Sequence, residues 1–164
     1  RLAALDANAA EAEQALALYT AVIANGSQIE TYGVPVDIYA SYGAATTRRL
    51  LGEISYEQGD PAQAEQLIDE AVALLTAIIP PLTEIDDFRL HAQMYQALGT
   101  AYEWQRYLRD QRGDTAGRDE ATQNARDAYN QCIAVGEIFP FDTDVVGDIV
   151  ENQCRPRLEQ LSNP

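Results

Sequence analysis

The sequence predicts an all-α fold built from stacked antiparallel helical hairpins, and three observations carry that prediction. Apolar residues recur with a spacing near 3.6 in almost every long segment. No segment sustains the strict alternation of a half-buried strand, so strands are not expected. Gly59-Asp60-Pro61, Pro80-Pro81 and Gly136 cut the chain into helix-length pieces. With 164 residues, 46% of them hydrophobic and 23% charged, the chain 1–164 reads as a single domain large enough to bury a core.

The elements follow in order. A first helix spans about 2–24, alanine-rich, with Leu5, Ala12, Ala15, Leu16, Tyr19, Val22 and Ile23 as its apolar positions and Asn25-Gly26 as its stop. Residues 25–35 form a loop. A second helix starts after Pro35, carries Tyr39, Tyr42, Ala45, Leu50, Leu51 and Ile54, and ends near Gln58. At the turn, Gly59 supplies a permissive C-terminal residue, Asp60 an N-cap and Pro61 a first helical position that needs no N–H. The third helix buries Ala64, Leu67, Ile68, Ala71, Val72, Leu75 and Ile78, and is expected to stop at 79 because neither proline can continue the hydrogen-bond ladder. The hairpin is 36–79.

The second hairpin is 84–136. Thr83 with Asp86 resembles a capping box, and the stripe of the fourth helix is Phe88, His91, Met94, Tyr95, Leu98, Ala101 and Tyr102. An inserted tip, 106–118, is arginine-rich and glycine-punctuated and reads as either a helical extension or a loop. The fifth helix turns Ala121, Ala125, Ala128, Tyr129, Cys132 and Ile133 inward and ends near Gly136. A C-terminal capping helix, 143–161, offers Val146, Val150, Cys154, Leu158 and Leu161, with Pro156 expected to kink or split it.

Two of these segments resemble tetratricopeptide repeats. Leu51-Gly52, Gly59-Asp60, Ala64, Ile68 and Ala71 stand at the spacings of that signature. Tyr95, Leu98-Gly99 and Tyr102 fit a first repeat helix and Ala125, Tyr129 and Cys132 a second, with about 14 extra residues between them. Ala15, Tyr19 and Val22 look like the second helix of a repeat, which makes the first helix an orphan. The resemblance implies a right-handed α-α superhelix with lengthened helices, because the Leu-Gly pairs stand 47 residues apart rather than the roughly 34 of the family. It also implies that first helices of hairpins line a concave surface, here Thr46, Arg49, Glu53, Tyr56 and Glu57 with Gln93, Gln96, Thr100, Glu103 and Trp104. That mixture suits an extended peptide with basic character and an apolar anchor. The competing reading is that these are solvated helix positions.

The net charge of −15, from 26 acidic residues against 11 arginines and no lysine, repels a phosphate backbone and an anionic membrane. Neither nucleic-acid binding nor membrane insertion is expected, and the chain reads as soluble. One histidine and two cysteines supply no zinc spacing, and Asp142, Asp144 and Asp148 are explained by helix capping. No catalytic, cofactor or metal set is read. His91, on an apolar stripe, reads as a core or boundary residue. Cys132 and Cys154 are either a disulfide, which favours an extracytoplasmic or secreted setting, or two buried thiols of a cytoplasmic protein. In an ideal antiparallel hairpin, residue 132 faces 148–150, one turn short of Cys154. Arg106, Arg109, Arg112 and Arg118 alternate with Asp110, Asp114 and Asp119, as an ion-paired tip or a docking point for an acidic partner.

The functional expectation is a non-enzymatic scaffold or adaptor binding a protein or peptide. The alternatives are an extracytoplasmic sensor enclosing a small ligand near Tyr39, Tyr42 and Trp104, and a subunit that buries its groove by self-association.

Overall fold

The computed structural model describes residues 2–26, 29–31, 33–82, 87–138 and 145–162. Its class is all-α, and the chain forms two compact units, Arg1–Ile85 and Asp86–Pro164. Among the described residues no helix is long and apolar enough to cross a membrane.

In the N-terminal unit, α1 (Leu2–Asn25), α2 (Val36–Glu57) and α3 (Pro61–Leu82) pack in sequence, α1 on α2 and α2 on α3. The expectation of no strands fails in one small place. The connection between α1 and α2 holds a two-stranded antiparallel ribbon, β1 (Glu30–Thr31) and β2 (Val34–Pro35), in the register Glu30↔Pro35 and Thr31↔Val34. Gly33 takes the left-handed φ of 78° that the tight reversal needs, and Val34 is fully buried, so one side chain anchors the ribbon. A two-residue strand is too short to leave an alternating pattern.

The α2/α3 pair closes where small residues meet. A Cβ on Gly52 would lie 3.0 Å from Ile68 and 3.2 Å from the Ala64 carbonyl, so glycine sets how near the two backbones come. At the turn, Gly59 adopts φ 91° and the Asp60 carboxylate accepts the Gln63 N–H at 2.9 Å. The expected stop at 79 is corrected: α3 continues through Pro80 and Pro81 to Leu82. Proline's fixed φ is itself helical, so the prolines end the hydrogen-bond ladder without leaving the helical path. Thr76 and Ala77, whose carbonyls lose those donors, are exposed.

In the C-terminal unit, α4 (Phe88–Gln111) and α5 (Thr115–Ile138) form a longer hairpin. Its tip is helical. The turn Arg112-Gly113-Asp114 repeats the first one, with Gly113 at φ 77° and the Asp114 carboxylate accepting the Gly117 N–H at 2.9 Å. The proposed capping pair Thr83 and Asp86 lies outside the described residues; Asp87 caps α4, accepting the Leu90 N–H at 2.9 Å.

The C-terminal segment runs as α6 (Val145–Ile149), a π-helical turn (Val150–Cys154) and α7 (Arg155–Ser162). In the wide turn the Arg155 N–H reaches the Val150 carbonyl five residues back. Pro156 follows it directly: a proline ring crowds the carbonyl four residues earlier, and a widened turn relieves that clash. The extra residue shifts the register by one position, part of the offset between the cysteines, and the wider separation of the helix ends, Ile138 and Val145, adds to it. Cys154 comes against Cys132, their sulfurs bonded at 2.01 Å and their Cα atoms 6.4 Å apart, where ideal helical counting leaves them a turn out of step. Around this bridge Ala92, Tyr129, Ile133, Val146, Val150 and Leu161 are buried in one core.

Candidate functional site

An open, partly apolar cleft of the N-terminal unit lies between α1 and α2. The two helices run antiparallel in one continuous register. Near one end the Tyr19 ring lies on the backbone at Gly43, where a Cβ would come within 2.5 Å of it. Near the other, the Gln58 amide donates to the Asp6 carboxylate at 2.9 Å. Between these ties α1 offers chiefly alanine, too small to fill the space facing α2, and a cleft of about 550 Å³ remains. Leu5, Ala12, Ala15, Leu50 and Ile54 form its apolar surface. Leu50 stays 42% exposed there, although the helical pattern marks it as an inward position.

The rim is acidic. Glu11 and Glu57 are exposed and Glu53 half-buried, with Asn8 and Thr47 between them. Arg49 pairs with Glu53 along α2, and the Thr47 hydroxyl donates to the Gly43 carbonyl at 2.8 Å. Burial raises the Tyr42 hydroxyl above its ordinary range, against the partial opposition of the Arg49 charge. Apolar surface ringed by carboxylates and an amide can hold a hydrophobic anchor flanked by cationic or N–H donors.

Of the α2 positions expected on a binding surface, Glu53 and Glu57 line this cleft. Thr46 is half-buried and donates to the Tyr42 and Gly43 carbonyls, Arg49 is paired with Glu53, and Tyr56 is half-buried. The alanine-rich pattern of α1 gave no sign that Asn8 and Glu11 would complete the rim.

The α4 positions lie in the C-terminal unit. Gln93 is half-buried. The Gln96 amide donates to the Thr100 hydroxyl at 3.1 Å, and Trp104 meets Tyr107 edge-on at 5.6 Å. Glu103 accepts the Tyr129 hydroxyl at 2.5 Å and pairs with Arg157 at 3.5 Å. Tyr129 is fully buried; burial first, then the Glu103 charge and its hydrogen bond, push that hydroxyl well above the tyrosine range. His91 is half-buried, with its ring 5.8 Å from Phe88 and edge-on to it. The arginine tip is ion-paired: Arg109 with Glu120, Arg112 with Asp114, and Arg118 with Asp110 and Asp119. Asp142 and Asp144 lie outside the described residues, and Asp148 accepts the Asn152 amide at 2.7 Å. Among the described residues no three His, Cys, Asp or Glu side chains come together as a metal site.

No protein-family model matches the chain, and neither the curated proteins nor the solved structures contain a match to it.

Proposed function

We propose that this chain is a non-enzymatic interaction module whose N-terminal unit receives a short peptide bearing an apolar anchor and flanking basic residues. The observation that carries the reading is the pairing, in one cleft, of a half-exposed Leu50 with a rim holding Glu11, Glu53 and Glu57. An apolar side chain entering there removes Leu50 and Leu5 surface from water, and an adjacent Lys or Arg meets a carboxylate. The net charge of −15 adds long-range attraction for a basic partner. On this reading the hairpins are tetratricopeptide-like units, with Gly52 and Gly99 in the small-residue positions of the repeat and α1 as a second helix packed on the next hairpin.

A second reading, from a different class, is a receptor for a small amphipathic cation, favoured by a cleft volume inside the range of small-molecule sites. The experiment that separates the two is a screen of short peptides varied independently in apolar and basic content, repeated on a Glu11→Lys, Glu57→Lys variant. The peptide reading expects retained sequences to combine Leu or Phe with Arg or Lys. It expects the variant to weaken them by about tenfold or more, and added salt to weaken them further. Retention of acidic peptides, or affinities indifferent to the variant, contradicts it. Binding of hydrophobic amines with no peptide retained favours the receptor.

A further inference from the structure

We propose that the C-terminal unit carries a second site of opposite sign, a cleft of about 430 Å³ at the α4/α5 tip that binds a compact, doubly charged oxyanion of the phosphate or dicarboxylate class. Its cations are Arg106 from α4 with Arg118 and Arg126 from α5, and the last turn of α7 closes it with Gln160 and Leu161.

The three arginines are in different states. Arg118 is held by Asp119 at 2.7 Å and by Asp110 at 3.4 Å, so its charge is already answered. Arg126 donates through Nη2 to the Leu161 carbonyl, which fixes its guanidinium at the end of α7, while its Nε is buried without an acceptor. Arg106 is exposed and has no ion-pair partner among the described residues. The cleft therefore holds more cationic donors than carboxylates on a protein whose net charge is −15. A buried charged donor left without an acceptor is costly, and the edge of the Arg126 guanidinium that lines the cleft is open to an oxyanion whose charge offsets part of that cost.

The same charge balance sets the size of the ligand. A polyanion reaching beyond the cleft meets the wider acidic surface, whereas a dianion small enough to stay inside meets Arg106 and Arg126, with Asp110 and Asp119, each paired to Arg118, as the carboxylates lining it. The site depends on the disulfide, because Cys154 ties the start of α7 to α5 and α7 supplies the closing wall.

The test is NMR of the arginine Nε–Hε groups in the intact oxidised protein, titrated with sodium phosphate and, separately, sodium succinate, with sodium chloride matched for ionic strength. Saturable shifts at Arg106 and Arg126 with either dianion, absent with chloride, are expected; which dianion saturates decides between the two classes. Arg106→Gln, an exposed change whose helicity is checked by circular dichroism, should weaken binding about tenfold. Asp110→Asn removes a competing carboxylate and should tighten it severalfold. Linear shifts equal to those from chloride, or an affinity unchanged in both variants, overturn the proposal.

Discussion

The hairpins α2/α3 and α4/α5 turn on the same device and differ in what the device supports. Each reverses through a left-handed glycine followed by an aspartate N-cap, Gly59-Asp60 in one and Gly113-Asp114 in the other. Each brings a Leu-Gly pair against a partner helix, Gly52 under Ile68 and Gly99 under Tyr129. Gly59 follows Gly52 by seven residues, whereas Gly113 follows Gly99 by fourteen; from cap to inward alanine, Ala64 follows Asp60 by four and Ala125 follows Asp114 by eleven. Between its packing motif and its turn the second hairpin is thus longer by one heptad in each arm, although each whole helix has 24 residues against 22. Seven residues make two turns with a drift of only about 20°, so both arms lengthen without rotating their buried faces. A hairpin can grow at its tip while its packing motif stays in place, provided both arms grow in phase.

The sharpest way to break this equivalence is the glycine under the aromatic ring. A Cβ at Gly99 would sit 2.6 Å from a Tyr129 ring held by burial and by Glu103, whereas at Gly52 it meets the Ile68 side chain at 3.0 Å and the Ala64 carbonyl at a milder 3.2 Å. Gly99→Ala should destabilise the C-terminal unit by about 2–3 kcal/mol, and Gly52→Ala should cost under about 1, since helix propensity offsets part of a milder clash. Denaturant unfolding followed by Trp104 fluorescence reads the first, and circular dichroism reads both. Equal losses would show that the ring yields as readily as the isoleucine.

Of the same size is the effect of the disulfide. Its 22-residue separation sets a stabilisation of about 3 kcal/mol, confined to the C-terminal unit. A reductant, or the Cys132→Ala, Cys154→Ala variant, should lower the Trp104 transition by that amount. Hydrogen exchange in α2 and α3 should be unchanged.

A smaller effect follows from Tyr129. Its hydroxyl titrates higher folded than unfolded, so above pH about 10 the unfolded chain loses a proton that the folded one keeps, and stability falls as pH rises. Tyr129→Phe should lose about 1 kcal/mol at neutral pH and show a shallower alkaline decline, the remainder coming from Tyr42 and Tyr95, which burial also raises. Unfolding curves measured from pH 8 to 11 decide the point.

The two turns should be the most alike. Asp60→Ala and Asp114→Ala each remove one cap bond to an N–H, at Gln63 and Gly117, and each should cost about 1 kcal/mol. A clearly larger loss at Asp114 would assign the difference to its Arg112 ion pair at 2.9 Å.

What could be read from the residues varies in the same way. The first hairpin announced its turn because glycine, aspartate and proline stand together at 59–61. The second repeats glycine and aspartate at 113–114, but without proline and inside an arginine-rich stretch, so extension and loop looked alike. The cysteine register was hidden because the count turned the chain at Pro140 along ideal helices, whereas α5 ends at Ile138, α6 starts at Val145 and the turn at Val150–Cys154 is widened; Pro156 marked a distortion but not its form. Half of the cleft was legible, since Glu53 and Glu57 fall on a patterned helix. The α1 half was not, because an alanine-rich helix carries little pattern, and which face meets α2 is decided by Tyr19 lying on Gly43.

The most direct test of the functional claim is hydrogen exchange on the intact protein with and without a basic, Leu-anchored peptide retained in the screen. The account predicts protection concentrated in residues 5–15 and 47–57, lost in the Glu11→Lys, Glu57→Lys variant. Protection along 93–104 instead, or binding that protects neither helix of the cleft, would contradict it.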